Sequence, residues 1–113
     1  MDKIIERGLL FDFYGELLTP HQQEIYSEIV FNDLSLGEMS EQEGISRQGI
    51  YDLIKRCDRQ LNTYEEKLGL VKKFQAIRKE AEGMEALIDC DVTASDELKN
   101  SLRASLNRIS KEL

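Results

Sequence analysis

The sequence predicts an all-α protein, and three observations carry that prediction. Apolar residues recur every three or four positions in stretch after stretch, without runs of strict alternation. Capping residues and glycines stand where those stretches would begin and end. The 113 residues are 41% hydrophobic and 33% charged with a single proline, too apolar for a disordered tail and too poor in turn residues for an all-β chain. A chain of this length buries roughly two thirds of its unfolded surface, enough for one small domain with a helical extension.

Ile5, Leu9, Phe13 and Leu17, joined by Leu10 and Tyr14, predict a first helix over residues 3–18, with Phe11 and Leu18 off its stripe. So wide an apolar arc implies burial on two sides, or on one side by the domain and on the other by a partner. "TPHQ" follows: Thr19 can cap, Pro20 suits the first helical position, and Gln22 completes a capping box. A second helix over residues 20–31 would bury Ile25, Ile29, Tyr26 and Val30. "SLGE", Ser35 with Glu38, is a second box, opening a short helix through Met39 that Gly44 stops in a left-handed conformation. Ser46 then caps "RQGIYDLIKRCDRQL", whose inner face is Ile50, Leu53, Ile54 and Cys57. Arg47, Gln48, Tyr51, Asp52 and Lys55 are left pointing outward.

From Leu61 the pattern changes. Leu61, Tyr64, Leu68 and Val71, then Ile77, Ala81, Met84 and Ile88, keep three-four spacing on either side of a shift near Phe74. That is the pattern of two short coiled-coil segments joined by a stutter, weakened by Gly69 and Gly83. "DCDVTAS" ends it, Thr93 or Ser95 caps a last helix, and Leu98, Leu102, Leu106, Ile109 and Leu113 form its stripe. The expected division is an N-terminal domain over residues 1–64, with its central motif at about 35–56, and a helical extension over 65–113. The extension either packs back on its own chain or forms a homodimer seam.

The net charge of -7 is uneven. Residues 1–33 set Asp2, Glu6, Asp12, Glu16, Glu24, Glu28 and Asp33 against only Lys3 and Arg7, whereas Arg47 to Arg59 is a locally basic segment. Overall acidity therefore leaves room for a local anion-binding face and makes its binding weak. Cys57 and Cys90 lack C-x-x-C spacing or a histidine cluster, which argues against a zinc site or disulfide framework. No apolar run approaches a membrane span or a signal peptide, so no membrane insertion and a cytoplasmic location are expected. No catalytic residue, metal site or cofactor is expected either. His21 is the only histidine, and "DCDVTASD" lacks the glycine and terminal glutamate of a calcium loop.

Small Ser40 falls where two helices would touch, Gly44 falls at the turn, and Met39, Ile45, Ile50 and Leu53 fill the buried places of a helix-turn-helix. Glu43, where an apolar residue is usual, does not fit. Residues 18–56 resemble the promoter-reading final domain of sigma-70 factors. "LLFDFYGELLT", "SRQGIYDLIKR" and "YEEKLGLVKKF", taken together and in that order, are more closely similar to the YlxM family of small bacterial proteins. That resemblance implies a sigma-70 final-domain-like all-helical fold, no enzymatic activity, and a regulatory role beside the signal recognition particle, with DNA or the particle's RNA or protein as partner. Carried over by position, the nucleic-acid-binding residues are Ser46, Arg47, Gln48, Tyr51 and Lys55, with Arg56 and Arg59 anchoring phosphates. Asp52 among them either accepts from a base or pairs with Lys55 or Arg56. Two alternatives stay open: that these side chains are simply a solvated face, and that the chain is a protein-protein adaptor using its acidic N-terminal face. Gly49 stands where the family pattern leads one to expect alanine and should loosen its helix by roughly 1 kcal/mol.

Overall fold

Tyr14, Tyr26 and Cys57, all shielded from solvent, sit in the core of the N-terminal of two compact units, Met1–Val71 and Lys72–Leu113. The structure, a computed structural model, describes residues 3–91 and 93–112, all helix and loop with no strand among them. Helix α1 (Lys3–Tyr14) ends short of the expected residue 18, because Gly15–Leu17 winds into a 3-10 turn. A 3-10 residue advances about 120° instead of about 100°, which carries the inward position from Leu17, 56% exposed, to Leu18, 3% exposed. Gly15 is needed there, since a Cβ would lie 3.1 Å from the Phe11 ring. Phe11 stacks on Tyr26 at 5.6 Å and leans on Phe31 at 5.3 Å, which explains an aromatic residue off the stripe. The inward face of α1 follows Arg7, Leu10 and Tyr14, and that rotation leaves Ile5 exposed.

Helix α2 (Pro20–Val30) starts with the full capping box: Thr19 Oγ1 accepts from Gln22 N–H and Gln22 Oε1 accepts from Thr19 N–H, a device worth about 1 kcal/mol. Ile25 and Tyr26 are fully buried, Ile29 and Val30 partly. Helix α3 (Leu36–Glu43) is capped by Ser35, whose Oγ accepts from Glu38 N–H, and stops at Gly44 with φ +67°. Helix α4 (Arg47–Leu68), capped by Ser46, runs a further two turns past Leu61 until Gly69, φ +63°, ends it.

The break in the run therefore falls at Gly69, and the position near Phe74, where a stutter was expected, lies inside a continuous helix. Helix α5 (Leu70–Cys90) starts directly after Gly69, and the orphan N–H groups of its first turn find two partners from elsewhere in the unit. Leu70 N–H donates to Tyr14 Oη at 3.1 Å, and Val71 N–H donates to Glu65 Oε1 at 3.0 Å. Tyr14 Oη itself donates to Glu65 Oε1 at 2.6 Å. Leu61 and Val71 are buried in the same core, so the N-terminal unit closes at Val71, beyond residue 64, and neither residue is free for a homodimer seam.

In the C-terminal unit, α6 (Asp96–Glu112) is capped by Ser95, which accepts from Leu98 N–H at 3.1 Å, while Thr93 bonds to Asp91 instead. Arg103 pairs with Asp89, and Leu106 and Ser110 lie opposite Phe74, Arg78 and Ala81, so α5 and α6 run antiparallel. Leu106 is the side chain of α6 that is buried; Leu113 lies outside the described residues. No helix among the described residues is long and apolar enough to cross a membrane.

Candidate nucleic-acid interface

Helices α3 and α4 are joined by a turn whose parts are each satisfied. Gly44 N–H donates to Ser40 carbonyl, Ser40 Oγ donates to the Ile45 carbonyl, and Met39 and Ile50 fill the angle at 1% and 0% exposure. Glu43, the misfit in the pattern, is partly buried because His21 Nε2 of α2 lies 3.1 Å from its Oε2, a polar link replacing an apolar contact.

Ile50, Ile54, Cys57 and Leu61 fix which face of α4 is inward, and burial holds the Cys57 thiol, aided by the Asp58 carboxylate, up at about 11. On the other face stand the sequence candidates. Ser46 Oγ accepts from Gly49 N–H at 3.0 Å, which leaves its hydroxyl proton available to a ligand. Arg47 is exposed but lies back over α3, its Nη2 only 3.0 Å from where a Cβ on Gly37 would stand. Gln48 Nε2 donates to Asp52 Oδ1 at 2.9 Å, so Asp52 bonds to Gln48 in place of Lys55 or Arg56. Lys55 Nζ stands 5.4 Å from the Tyr51 ring centroid, a cation–π pair on the surface. Arg56 follows Lys55 directly and Arg59 stands about one turn further on, both exposed. Among the described residues, none of Arg47, Lys55, Arg56 and Arg59 forms an ion pair.

The sequence candidates omitted two bases that the fold brings to this face. Lys3 and Arg7 of α1 line an open cleft of about 860 Å³ shared with Tyr51, Lys55, Arg56 and Arg59, in which Glu6, Asp52 and Glu66 also stand. Arg7 is engaged: its Nη2 donates to Asp58 Oδ2 at 2.6 Å, and Tyr26 Oη donates to Asp58 Oδ1, also at 2.6 Å. Burial and the Asp58 carboxylate both raise the Tyr26 phenol above its ordinary range. The signal for these two residues was in the chain already, as the only bases of an acidic segment.

Comparison with known proteins agrees with this geometry. The family model described as "Putative helix-turn-helix protein, YlxM / p13 like" (UPF0122) matches residues 1–102. A UPF0122 protein of Caldanaerobacter subterraneus subsp. tengcongensis is 52% identical over 87 residues, 77% of this chain and 74% of the relative. One of Acetivibrio thermocellus is 58% identical over 74 residues, 66% of this chain and 63% of the relative. One of Listeria welshimeri is 42% identical over 106 residues, 94% of this chain and 96% of the relative. With a family match across nearly its whole length and a helix-turn-helix formed where the motif requires it, the chain belongs to the YlxM / p13-like UPF0122 family.

Proposed function

We propose that this is a non-enzymatic, cytoplasmic regulatory protein that binds nucleic acid along the outer face of α4, and that its partner is a ribonucleoprotein, the signal recognition particle being the one its family resemblance suggests. The observation that supports this most is the row of four cations without ion-pair partners on one exposed helix. From Arg47 to Arg59 is twelve residues, about 18 Å at 1.5 Å per residue. That is the rise of about five base pairs, so the row can follow a phosphate backbone while Gln48 and Tyr51 face the groove. The exposed Asp12, Glu16 and Glu24 favour a second reading, an adaptor that offers an acidic face to a basic protein.

Four neutralised phosphates give a slope near -3.6 in log affinity against log salt, about a hundredfold loss between roughly 50 and 200 mM. Fluorescence anisotropy with labelled duplex DNA and with particle RNA measures it. Arg47→Ala with Lys55→Ala should weaken binding at least about tenfold and hold the melting temperature within a few degrees, since both side chains are exposed. Salt-independent binding overturns the reading. So does an intact partner interaction in that variant together with its loss on charge reversal at Asp12, Glu16 and Glu24, which supports the adaptor instead.

A further inference from the structure

The C-terminal unit exposes what a helical unit normally buries. Among its described residues only Leu106 is a buried large apolar side chain, whereas Ile77, Met84 and Leu87 of α5 and Leu98, Leu102 and Ile109 of α6 are 38–73% exposed. A unit of about forty residues with so small a core usually relies on a disulfide, a metal or association for its stability. Cys90, the unit's cysteine, is a free thiol.

The geometry of the two stripes says where they point. On α5 the side facing α6 carries Phe74, Arg78, Ala81 and Glu85, and at about 100° per residue Ile77 and Met84 lie about 90° round from it. On α6 the facing side carries Leu106 and Ser110, and Leu98, Leu102 and Ile109 again lie about 90° round, in the same sense along the chain. Two antiparallel helices turned in the same sense present those stripes on the same side of the hairpin. That side of the hairpin therefore carries an apolar stripe from each helix, flanked on α5 by Lys73 and Glu80, as in half of a four-helix bundle.

Charge selects the occupant. The open end, residues 72–79 and 109–112, carries five bases and one acid; the turn end, residues 86–99, carries four acids and one base. A second hairpin laid antiparallel sets each basic end against an acidic one, whereas a parallel copy sets like against like. We infer that the α5–α6 hairpin is the dimerisation module of this protein, pairing face to face with the antiparallel hairpin of a second copy through Ile77, Met84, Leu98, Leu102 and Ile109. The inference uses side chains of the C-terminal unit alone, so it stands apart from the nucleic-acid reading.

Sedimentation equilibrium of the full chain tests it. Wild type should sediment at twice 13.0 kDa. Met84→Asp with Leu102→Asp should sediment at 13.0 kDa with Cys57 still protected from thiol reagents, which reports an intact N-terminal unit. Orientation is read separately with a short bismaleimide, because Cys90 marks the turn end. Wild type should resist cross-linking through its Cys90 pair, and Ser110→Cys, with a thiol at the open end, should cross-link to the Cys90 of the second copy. A wild-type monomer at several hundred micromolar overturns the inference, as does a dimer that survives the double substitution. Efficient Cys90–Cys90 cross-linking also overturns it, since it requires a parallel pair.

Discussion

Removing one oxygen atom, in Tyr14→Phe, isolates the latch that closes the N-terminal unit. The Tyr14 ring is 1% exposed and would keep its contacts with Phe13 and Tyr64, so no cavity forms. Two hydrogen bonds vanish: the donation to Glu65 Oε1 at 2.6 Å and the acceptance from Leu70 N–H at 3.1 Å. A bond to an ionised carboxylate contributes about 1.5–3 kcal/mol and a neutral one about 1, while Glu65 keeps its bond from Val71 N–H, so the loss should be about 2.5–4 kcal/mol. With a urea slope of about 1–1.5 kcal/mol/M for a unit this small, the midpoint of unfolding should fall by about 2–4 M. Tyr51→Phe is the control, since that side chain is 45% exposed and its hydroxyl has no bond among the described residues; it should shift stability by less than about 0.5 kcal/mol. Adding Glu65→Gln to Tyr14→Phe should show a coupling of at least about 1 kcal/mol in a double-mutant cycle. A Tyr14→Phe protein as stable as the Tyr51→Phe control refutes the latch.

Alkaline pH should weaken the N-terminal unit, starting at the pH where a cysteine ionises in a flexible chain. The folded chain prefers the neutral thiol of Cys57, raised from 9.0 to about 11, so that stability is full below about pH 9 and is lost as pH climbs from 9 towards 11; urea midpoints across that range, flattened by Cys57→Ala, check the sign. Burial and the Glu65 bond raise Tyr14 in the same direction. Gly49→Ala, by helix propensity alone, should stabilise α4 by about 1 kcal/mol, yet its Cβ would stand 2.7 Å from Ile45 Cγ2 and 3.1 Å from Ser46 Oγ. Thermal melts should therefore show no gain, and a gain near the full amount would mean that Ile45 moves aside freely.

The helix starts were legible because each is local: Thr19 and Ser35 cap as Gln22 and Glu38 three residues on predict, Ser46 caps as expected, and of the two candidates Thr93 and Ser95 it is Ser95 that caps. So was the turn, through Ser40 and Gly44. What the pattern misjudged depends on partners distant in sequence. The rotation of α1 follows Arg7 and Tyr14, which answer to Asp58 and Glu65, both 51 residues away. Val71 reads as the next step of a repeating stripe, but Gly69 reverses the backbone just before it and sends it into the N-terminal core. At the candidate interface the outward face of α4 was readable from helical periodicity alone, whereas the Gln48–Asp52 bond and the arrival of Lys3 and Arg7 beside Lys55 required the folded chain. The same long-range bonds give the quoted stretches a shared physical reason: Tyr14 closes the first, Glu65 stands in the last, and they meet on one hydroxyl.

An acidic protein carrying a basic helix also has a consequence for how a polyanion meets it. The acidity is concentrated in residues 1–33, the C-terminal hairpin carries equal numbers of acids and bases, and Arg47, Lys55, Arg56 and Arg59, none in an ion pair among the described residues, stand on α4. Asp58, one of the acids lining the open cleft, is committed to Arg7 and Tyr26, so its charge is already balanced within the fold. Within a Debye length of about 8 Å at physiological salt, the acids of α1 and α2 repel a phosphate backbone and the basic residues of α4 attract it. Repulsion elsewhere lowers affinity but narrows the orientations that bind. On that account Asp58→Asn should act in two directions at once. It frees the Arg7 cation into the cleft and strengthens nucleic-acid binding at low salt, while weakening the N-terminal unit through the loss of both bonds, so affinity and melting temperature should move in opposite senses.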